Sequence, residues 1–310
     1  MRILFLGTPA FACPTLQALL ESPHEILGVV TQPDRPKGRG RKLTPPPVKI
    51  IAATKNLPVF QPEKVRDPSF LRACQDLQPE IIVVVAYGQI LPQILLSLPP
   101  RGCVNIHGSL LPKYRGAAPI TRAVLAGDTL TGITTMLMDE GMDTGPILGT
   151  EETPIAKDDT TGSLQDRLAG IGAGLLLRTL EGLEKGTITP KPQDHSRATY
   201  APKIAKEEGK IDWNAPALTL FNLIRAFDPW PGAFTLWEGR VLKLFHPSIT
   251  EEENRKTPGT VVNASAEGLA IATGRGILLV SELQAENRSR MKAKDFLRGH
   301  SLTPGTRLGV

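Results

Sequence analysis

Residues 102–107 read Gly-Cys-Val-Asn-Ile-His, a short run suited to a buried strand that ends in polar side chains. Side chains alternate along a strand, so Asn105 and His107 share one face while Ile106 enters the core. Gly108 breaks the run, and Ser109, Leu110, Leu111 and Pro112 form a turn that no regular element easily continues. Further along, residues 139–145 read DEGMDTG, a glycine-punctuated loop rich in carboxylates. An amide, an imidazole and a carboxylate, held at a strand end and in a neighbouring loop, can orient an acyl group and move a proton. Each also has an ordinary reading: a hydrogen-bonded structural histidine, a turn-forming asparagine, a solvated acidic loop. Their density favours an active site and leaves its chemistry open.

Positioning such a group requires a sheet. Residues 2–6 are an apolar strand ended by Gly7, a helix follows to about Glu21 with Pro9 in its first turn, and residues 26–31 are a second strand. This βαβ opening raises a dinucleotide site, with Asp34 as its ribose-binding acid. The segment GTPAFA lacks the second and third glycines that let backbone approach a pyrophosphate, so the expectation is a Rossmann-like fold without a nicotinamide site. Helices are expected over 48–55 and 68–77, with a short strand at 59–60. The β-branched run at 81–86 predicts a parallel strand covered on both faces. Ligands of open α/β sheets bind at the carboxyl ends of strands, which places Gly88, Gln89, Ile90 and Leu91 beside the candidate site. A helix over 117–126, strands over 131–138 and 147–154, and a long helix over 161–186, capped by residues 160–163, complete this half.

Five of the eight residues 35–42 are basic and interleaved with Gly and Pro, which predicts an exposed, mobile loop. Like charges so close together favour an anionic partner, and such segments order on phosphate backbones. The net charge of +5 and a pI near 9.1 are compatible with a polyanion. The three cysteines (Cys13, Cys74, Cys103) and five histidines show no metal or redox spacing, and Cys103 reads as core. No apolar run is long enough to span a membrane, and the opening residues do not read as a signal peptide, so a reducing cytoplasm is expected.

Periodicity fades over 187–209, where Pro, Lys and Asp accumulate in what reads as a linker. Beyond it, a helix is expected over 215–227, a hairpin from 234–237 and 241–245, and strands over 260–263, 268–273 and 277–283. Such spacing suggests a small barrel of the OB type, a common nucleic-acid platform. Arg288, Arg290, Lys292 and Lys294 form a second basic run, read equally well as phosphate-facing or as a solvated loop. Residues 227–232 read as a packed turn.

The run Asn105-Ile106-His107-Gly108-Ser109-Leu110-Leu111-Pro112, with Asp143 following, resembles the signature of the folate-dependent formyltransferases. Resemblance to the branch of that family that formylates methionyl-initiator tRNA extends over nearly the whole chain, including residues 210–213 and 227–232. It implies an α/β fold: a Rossmann-like formyltransferase domain with a mostly parallel sheet over 1–189, a linker over 190–208, and an OB-like β-barrel that binds tRNA over 209–310. The implied reaction moves the formyl group of 10-formyltetrahydrofolate to the α-amino group of methionine on initiator tRNA, with no metal and no covalent enzyme intermediate. By the same resemblance Asn105 and His107 stabilise the oxyanion, and Asp143 sets the His107 tautomer or raises its pKa and takes the amine's proton. Gly88, Gln89, Ile90, Leu91, Ser109, Leu110, Leu111, Pro112, Asp139 and Gly141 are implied in folate binding. Arg35, Lys37, Arg39, Arg41, Lys42, Arg288 and Arg290 are implied in tRNA binding, with Arg39 foremost. A monomer with folate and initiator methionyl-tRNA as its partners is expected, without a membrane. A small amine or an amino-sugar nucleotide is the rival acceptor, and neither would need the basic insertion or the carboxyl half. An RNA-binding module with a degenerate enzyme half would have lost the Asn105, His107 and Asp143 set.

Overall fold

A computed structural model of the protein describes residues 1–37, 40, 42–250 and 255–310. Its first elements are β1 (Arg2–Gly7), α1 (Cys13–Leu20), β2 (Glu25–Val30), β3 (Arg35–Lys37), β4 (Lys42–Thr44), α2 (Pro47–Thr54), β5 (Val59–Phe60), α3 (Pro68–Leu77) and β6 (Ile81–Val85). Then come α4 (Gln93–Leu96), β7 (Cys103–His107), β8 (Arg115–Gly116), α5 (Pro119–Ala126), β9 (Leu130–Leu137), β10 (Ile147–Pro154), α6 (Thr161–Lys185) and β11 (Tyr200–Ala201). Contacts divide the chain into two units. The first comprises Met1–Pro119, Leu130–Pro154 and Gln165–Ala201, and the second Ile120–Thr129, Ile155–Leu164 and Pro202–Val310.

The first unit is built on a seven-stranded sheet in the order β10-β9-β7-β6-β1-β2-β5. From β7 to β5 every pairing is parallel, whereas β9 and β10 are antiparallel. The central strands are apolar on both faces: every residue of β6 is buried, as are Ile3, Leu4, Phe5 and Leu6 of β1. That is the composition a parallel sheet needs when helices cover both sides. Local chemistry sets the helix ends. Asp67 caps α3 by accepting from the Ser69 N–H at 2.8 Å, Pro68 occupies the first turn, and Gln78 ends the helix in the left-handed region. Thr160 and Ser163 exchange reciprocal hydrogen bonds at the start of α6.

The basic segment departs from the loop expected of it. Residues 35–37 and 42–44 pair as an antiparallel two-stranded ribbon, β3 with β4. Pro36 is tolerated because a two-stranded ribbon leaves an outer edge on which no N–H is needed.

In the second unit, α7 (Ala217–Ala226) and α8 (Ala293–Gly299) accompany a six-stranded antiparallel sheet. Its strands are β12 (Phe234–Trp237), β13 (Arg240–Thr250), β14 (Val261–Ala264), β15 (Leu269–Ala272), β16 (Ile277–Ala285) and β17 (Met291–Lys292). Among the described residues no strand pair joins the edge strands β12 and β14, so the sheet is a curled half-barrel. The tail bridges those edges instead: Val261 N–H donates to Thr306, Leu308 N–H to Gly259, and Gly309 N–H to Leu236. Leu244, Leu269, Ile271, Leu278, Val280 and Phe296 form its buried core.

Candidate active site

Strand alternation and register place the polar pair. Asn105 lies opposite Val84 of β6 and Met136 of β9, and His107 lies opposite Thr134. His107 is buried and Asn105 half-buried. Thr134 anchors the turn that follows β7: its hydroxyl donates to the Ser109 carbonyl at 2.7 Å and accepts from the Leu111 N–H at 3.1 Å. Ser109 is 1% exposed and donates its own hydroxyl to the Lys113 carbonyl, so that side chain shapes the turn. The chain then returns to His107, whose Nε2 is 2.9 Å from the carbonyl of Tyr114. A carbonyl oxygen only accepts, so Nε2 carries the hydrogen and Nδ1 is the variable nitrogen.

Nδ1 faces Asp143, whose Oδ2 lies 3.6 Å away. This corrects one expectation: the Tyr114 carbonyl, more than Asp143, sets the tautomer of His107. Asp143 is held from several sides. Its Oδ2 accepts from the Gly116 N–H at 2.8 Å, and its backbone has φ +54°, a conformation unusual for a residue with a Cβ. Within the same loop, Asp139 accepts from the Gly141 N–H at 3.0 Å and from the Thr144 hydroxyl at 2.6 Å, turning its carboxylate back into the loop. A Cβ on Gly141 would sit 2.0 Å from the Thr144 hydroxyl, so only glycine fits there.

At the carboxyl end of β6, Ala86 and Gly88 both have positive φ, and the Tyr87 carbonyl receives the Thr8 hydroxyl at 2.9 Å and the Gln32 amide at 3.3 Å. Gln89 spends its side chain on the Val65 N–H and on the Pro62 and Glu63 carbonyls. Gly88 and Ile90 are exposed, and Leu91 is buried. What this loop can offer a flat heterocycle is backbone and shape, with open space beside Gly88, where a Cβ would meet nothing nearer than Gln32 at 4.0 Å.

Asp34 is structural. It takes both carboxylate contacts from Lys49, at 2.8 and 2.9 Å, and one from Gln61, and these hydrogen bonds, Gln61 first, hold its carboxyl below the ordinary range. This network ties the foot of the β3–β4 ribbon. Arg35 and Lys42 are exposed on that ribbon. Arg39 and Arg41 lie outside the described residues, as does the side chain of Lys37. Arg288 is exposed, but Arg290 is not a free cation: it pairs with Asp228 at 3.0 Å and with Glu282, and stacks over Phe245 at 4.1 Å. Asp228 and Glu282 thereby compete with phosphate for Arg290, which weakens the phosphate contact expected of it. Cys103 is 1% exposed, and burial pushes its thiol up to about 12, which fits packing and not nucleophilic work. A cavity of about 380 Å³ in the second unit, lined by Trp213, Leu236 and Arg307 among others, contains none of the candidate catalytic residues.

The formyl transferase pattern matches residues 1–180, and the pattern of the formyl transferase C-terminal domain matches residues 203–301. The chain belongs to the formyl transferase family. It is 52% identical over 307 residues to the methionyl-tRNA formyltransferase of Trichlorobacter lovleyi, covering 99% of this chain and 96% of that one. To the methionyl-tRNA formyltransferase of Desulfotalea psychrophila it is 54% identical over 299 residues, covering 96% and 93%. Among solved structures, HypX from Aquifex aeolicus in complex with tetrahydrofolic acid has a TM-score of 0.67 at 21% identity and covers 96% of this chain. The chain spans about half the length of HypX, 47%. WlaRD, a sugar 3N-formyl transferase solved in the presence of dTDP and 5-N-formyl-THF, has a TM-score of 0.68 at 18% identity, covering 93% and 99%. The methionyl-tRNA formyltransferase from Clostridium thermocellum has a TM-score of 0.58 at 15% identity, covering 92% and 99%. At such low identity these structures bear on the fold alone.

Sequence reasoning missed Tyr114, Arg115, Gly116, Thr134 and Gln193. The residues 113–118, Lys-Tyr-Arg-Gly-Ala-Ala, hold a signal in retrospect, a Gly set just after an Arg close behind the turn. Gln193 had none, sitting in a polar stretch that reads as linker.

Proposed function

We propose that the chain transfers the formyl group of 10-formyltetrahydrofolate to the α-amino group of methionine on initiator tRNA. The observation that carries this reading is that Asp143 faces His107, on the strand that bears Asn105, in a chain about half identical, over both family domains, to methionyl-tRNA formyltransferases.

The neutral amine attacks the formyl carbon, and the carbonyl electron pair moves onto oxygen. Collapse of that intermediate breaks the bond to N10 of the folate, so one proton passes in net from the amine to the leaving nitrogen. Asn105 donates to the oxyanion through its side-chain amide. His107 has Nε2–H committed to Tyr114, which leaves Nδ1, beside the Asp143 carboxylate, as the nitrogen that meets the reacting groups. Asp143 accepts the amine's proton directly or through water.

In this reading the pterin contacts backbone of Gly88, Gln89, Ile90 and Leu91 and the wall formed by Ser109, Leu110, Leu111 and Pro112. Asp139 and Gly141 contribute through the shape of their loop. The tRNA contacts fall to Arg35, Lys37, Arg39, Arg41, Lys42 and Arg288, whose positive charge suits a phosphate backbone. Residues 1–189 are the catalytic domain and 209–310 a tRNA-binding one, joined by 190–208. The chain acts as a monomer in the cytoplasm. Among the described residues no helix is long and apolar enough to cross a membrane.

The test is formyl transfer from 10-formyltetrahydrofolate to methionyl-initiator tRNA, methionyl-elongator tRNA and an amino-sugar nucleotide in parallel. Transfer to the initiator alone is expected. Transfer to the amino sugar alone would overturn the acceptor and leave the chemistry standing.

A further inference from the structure

Gln193, in the stretch between the two family domains, makes four hydrogen bonds while only 6% exposed. Its Nε2 donates to the Asp143 carbonyl at 2.9 Å and to the Gly145 carbonyl at 2.7 Å, gripping the loop on both sides of Thr144. Its Oε1 accepts from Arg115 Nε at 3.1 Å and Arg115 Nη2 at 2.7 Å. The amide cannot be turned over: a guanidinium only donates and a carbonyl only accepts, so each end of Gln193 has one allowed orientation. Arg115 is 2% exposed and also donates Nη2 to His195 Nδ1 at 3.1 Å. The next residue, Gly116, donates its N–H to the Asp143 carboxylate. The carboxylate and the backbone carbonyl of Asp143 are therefore both fixed by the Arg115–Gly116 strand, one directly and one through Gln193.

We propose that Gln193, oriented by Arg115, is a positioning residue that holds Asp143 in its left-handed conformation and so keeps the carboxylate facing His107. Aspartate enters the left-handed region more readily than most residues with a Cβ, yet still less readily than an ordinary conformation, so contacts to both its carbonyl and its carboxylate favour φ +54°. Without the Gln193 clamp the Asp143 peptide is free to relax toward an ordinary conformation, and the carboxylate moves with it. The inference rests on the reading of Asp143 as a participant in proton transfer.

The informative variant is Gln193→Glu. It retains an acceptor for Arg115, as an ion pair, and replaces both donors to the loop with a carboxylate oxygen that repels the two carbonyls. Turnover should fall about 10²-fold, as a displacement of about 1 Å does at a reacting centre. The KM for folate and for tRNA should stay near wild type, and turnover is read well below the melting temperature, which two carbonyls left without donors should lower. Gln193→Met, of similar length and without the amide, tests the same contact should the first variant not fold. Each is also combined with Asp143→Asn. If Gln193 acts through Asp143, the double variant is no slower than Asp143→Asn alone. Wild-type turnover in Gln193→Glu or Gln193→Met, or losses that multiply in the double variants, would overturn the inference. Should Asp143→Asn itself turn over at the wild-type rate, the reading of Asp143 fails instead.

Discussion

His107 Nε2 lies 2.9 Å from the Tyr114 carbonyl, and this contact decides which nitrogen of the ring meets Asp143. In the neutral ring the hydrogen must be on Nε2, because the carbonyl has nothing to donate. A proton added at Nδ1 then lies between the ring and the Asp143 carboxylate. Nitrogen-15 NMR of the imidazole should show the Nε2–H tautomer in the neutral form. A neutral ring protonated on Nδ1 would remove the Tyr114 contact and with it the proposed route for the second proton.

Arg288 and Arg290 are two residues apart, and the structure separates their roles. Arg290 neutralises the buried Asp228, so Arg290→Ala strands a carboxylate with 11% side-chain exposure and should cost about 2 kcal/mol or more of stability. Arg288→Ala should leave the melting temperature unchanged, weaken tRNA binding, and lower the slope of log affinity against log salt by about 1. Thermal melts and salt-dependent tRNA titrations of both variants check this. A stable Arg290→Ala with weakened tRNA binding would return Arg290 to the phosphate-binding set.

Desolvation pushes the thiols of Cys74 and Cys103 up to about 12 from 9.0. Both stay protonated near neutral pH and should resist alkylation until the chain unfolds, while the partly exposed Cys13 reacts first. Because the folded pKa values are raised, this contribution to stability is whole below about pH 9 and is lost as pH climbs from 9 toward 12. Denaturant melts across that range should show falling stability. Rapid native labelling of Cys103 would contradict its burial against the Leu95 carbonyl.

Elements that carry their own signals were legible in the sequence. The run at β6 is β-branched and buried throughout, and α3 is bounded by Asp67, Pro68 and the left-handed Gln78. Asn105 and His107 fall on one face by strand period alone. What sequence cannot carry is pairing at long range. β8 and β11 are two residues each and exist only because Arg115 meets Tyr200 across the chain. Gln193 and Arg115 are separated by 78 positions, and a polar stretch rich in Pro and Lys reads as linker whether or not one glutamine turns inward. The run at 288–294 reads alike with Arg290 free or paired, since Asp228 and Glu282 reach it only through the fold. The short strands of the half-barrel were legible, but the tail at 306–309 that bridges its edges follows no periodic pattern.

The most direct test of the account is single-turnover formyl transfer to methionyl-initiator tRNA, both substrates saturating, with wild type, His107→Ala and Asp143→Asn. Asn tolerates positive φ, so Asp143→Asn removes the charge without forcing the loop to move. Each variant should transfer about 10²–10³-fold more slowly than wild type, with tRNA affinity unchanged. Wild-type rates in both variants, or a loss that appears only as weakened tRNA binding, would place the chemistry elsewhere.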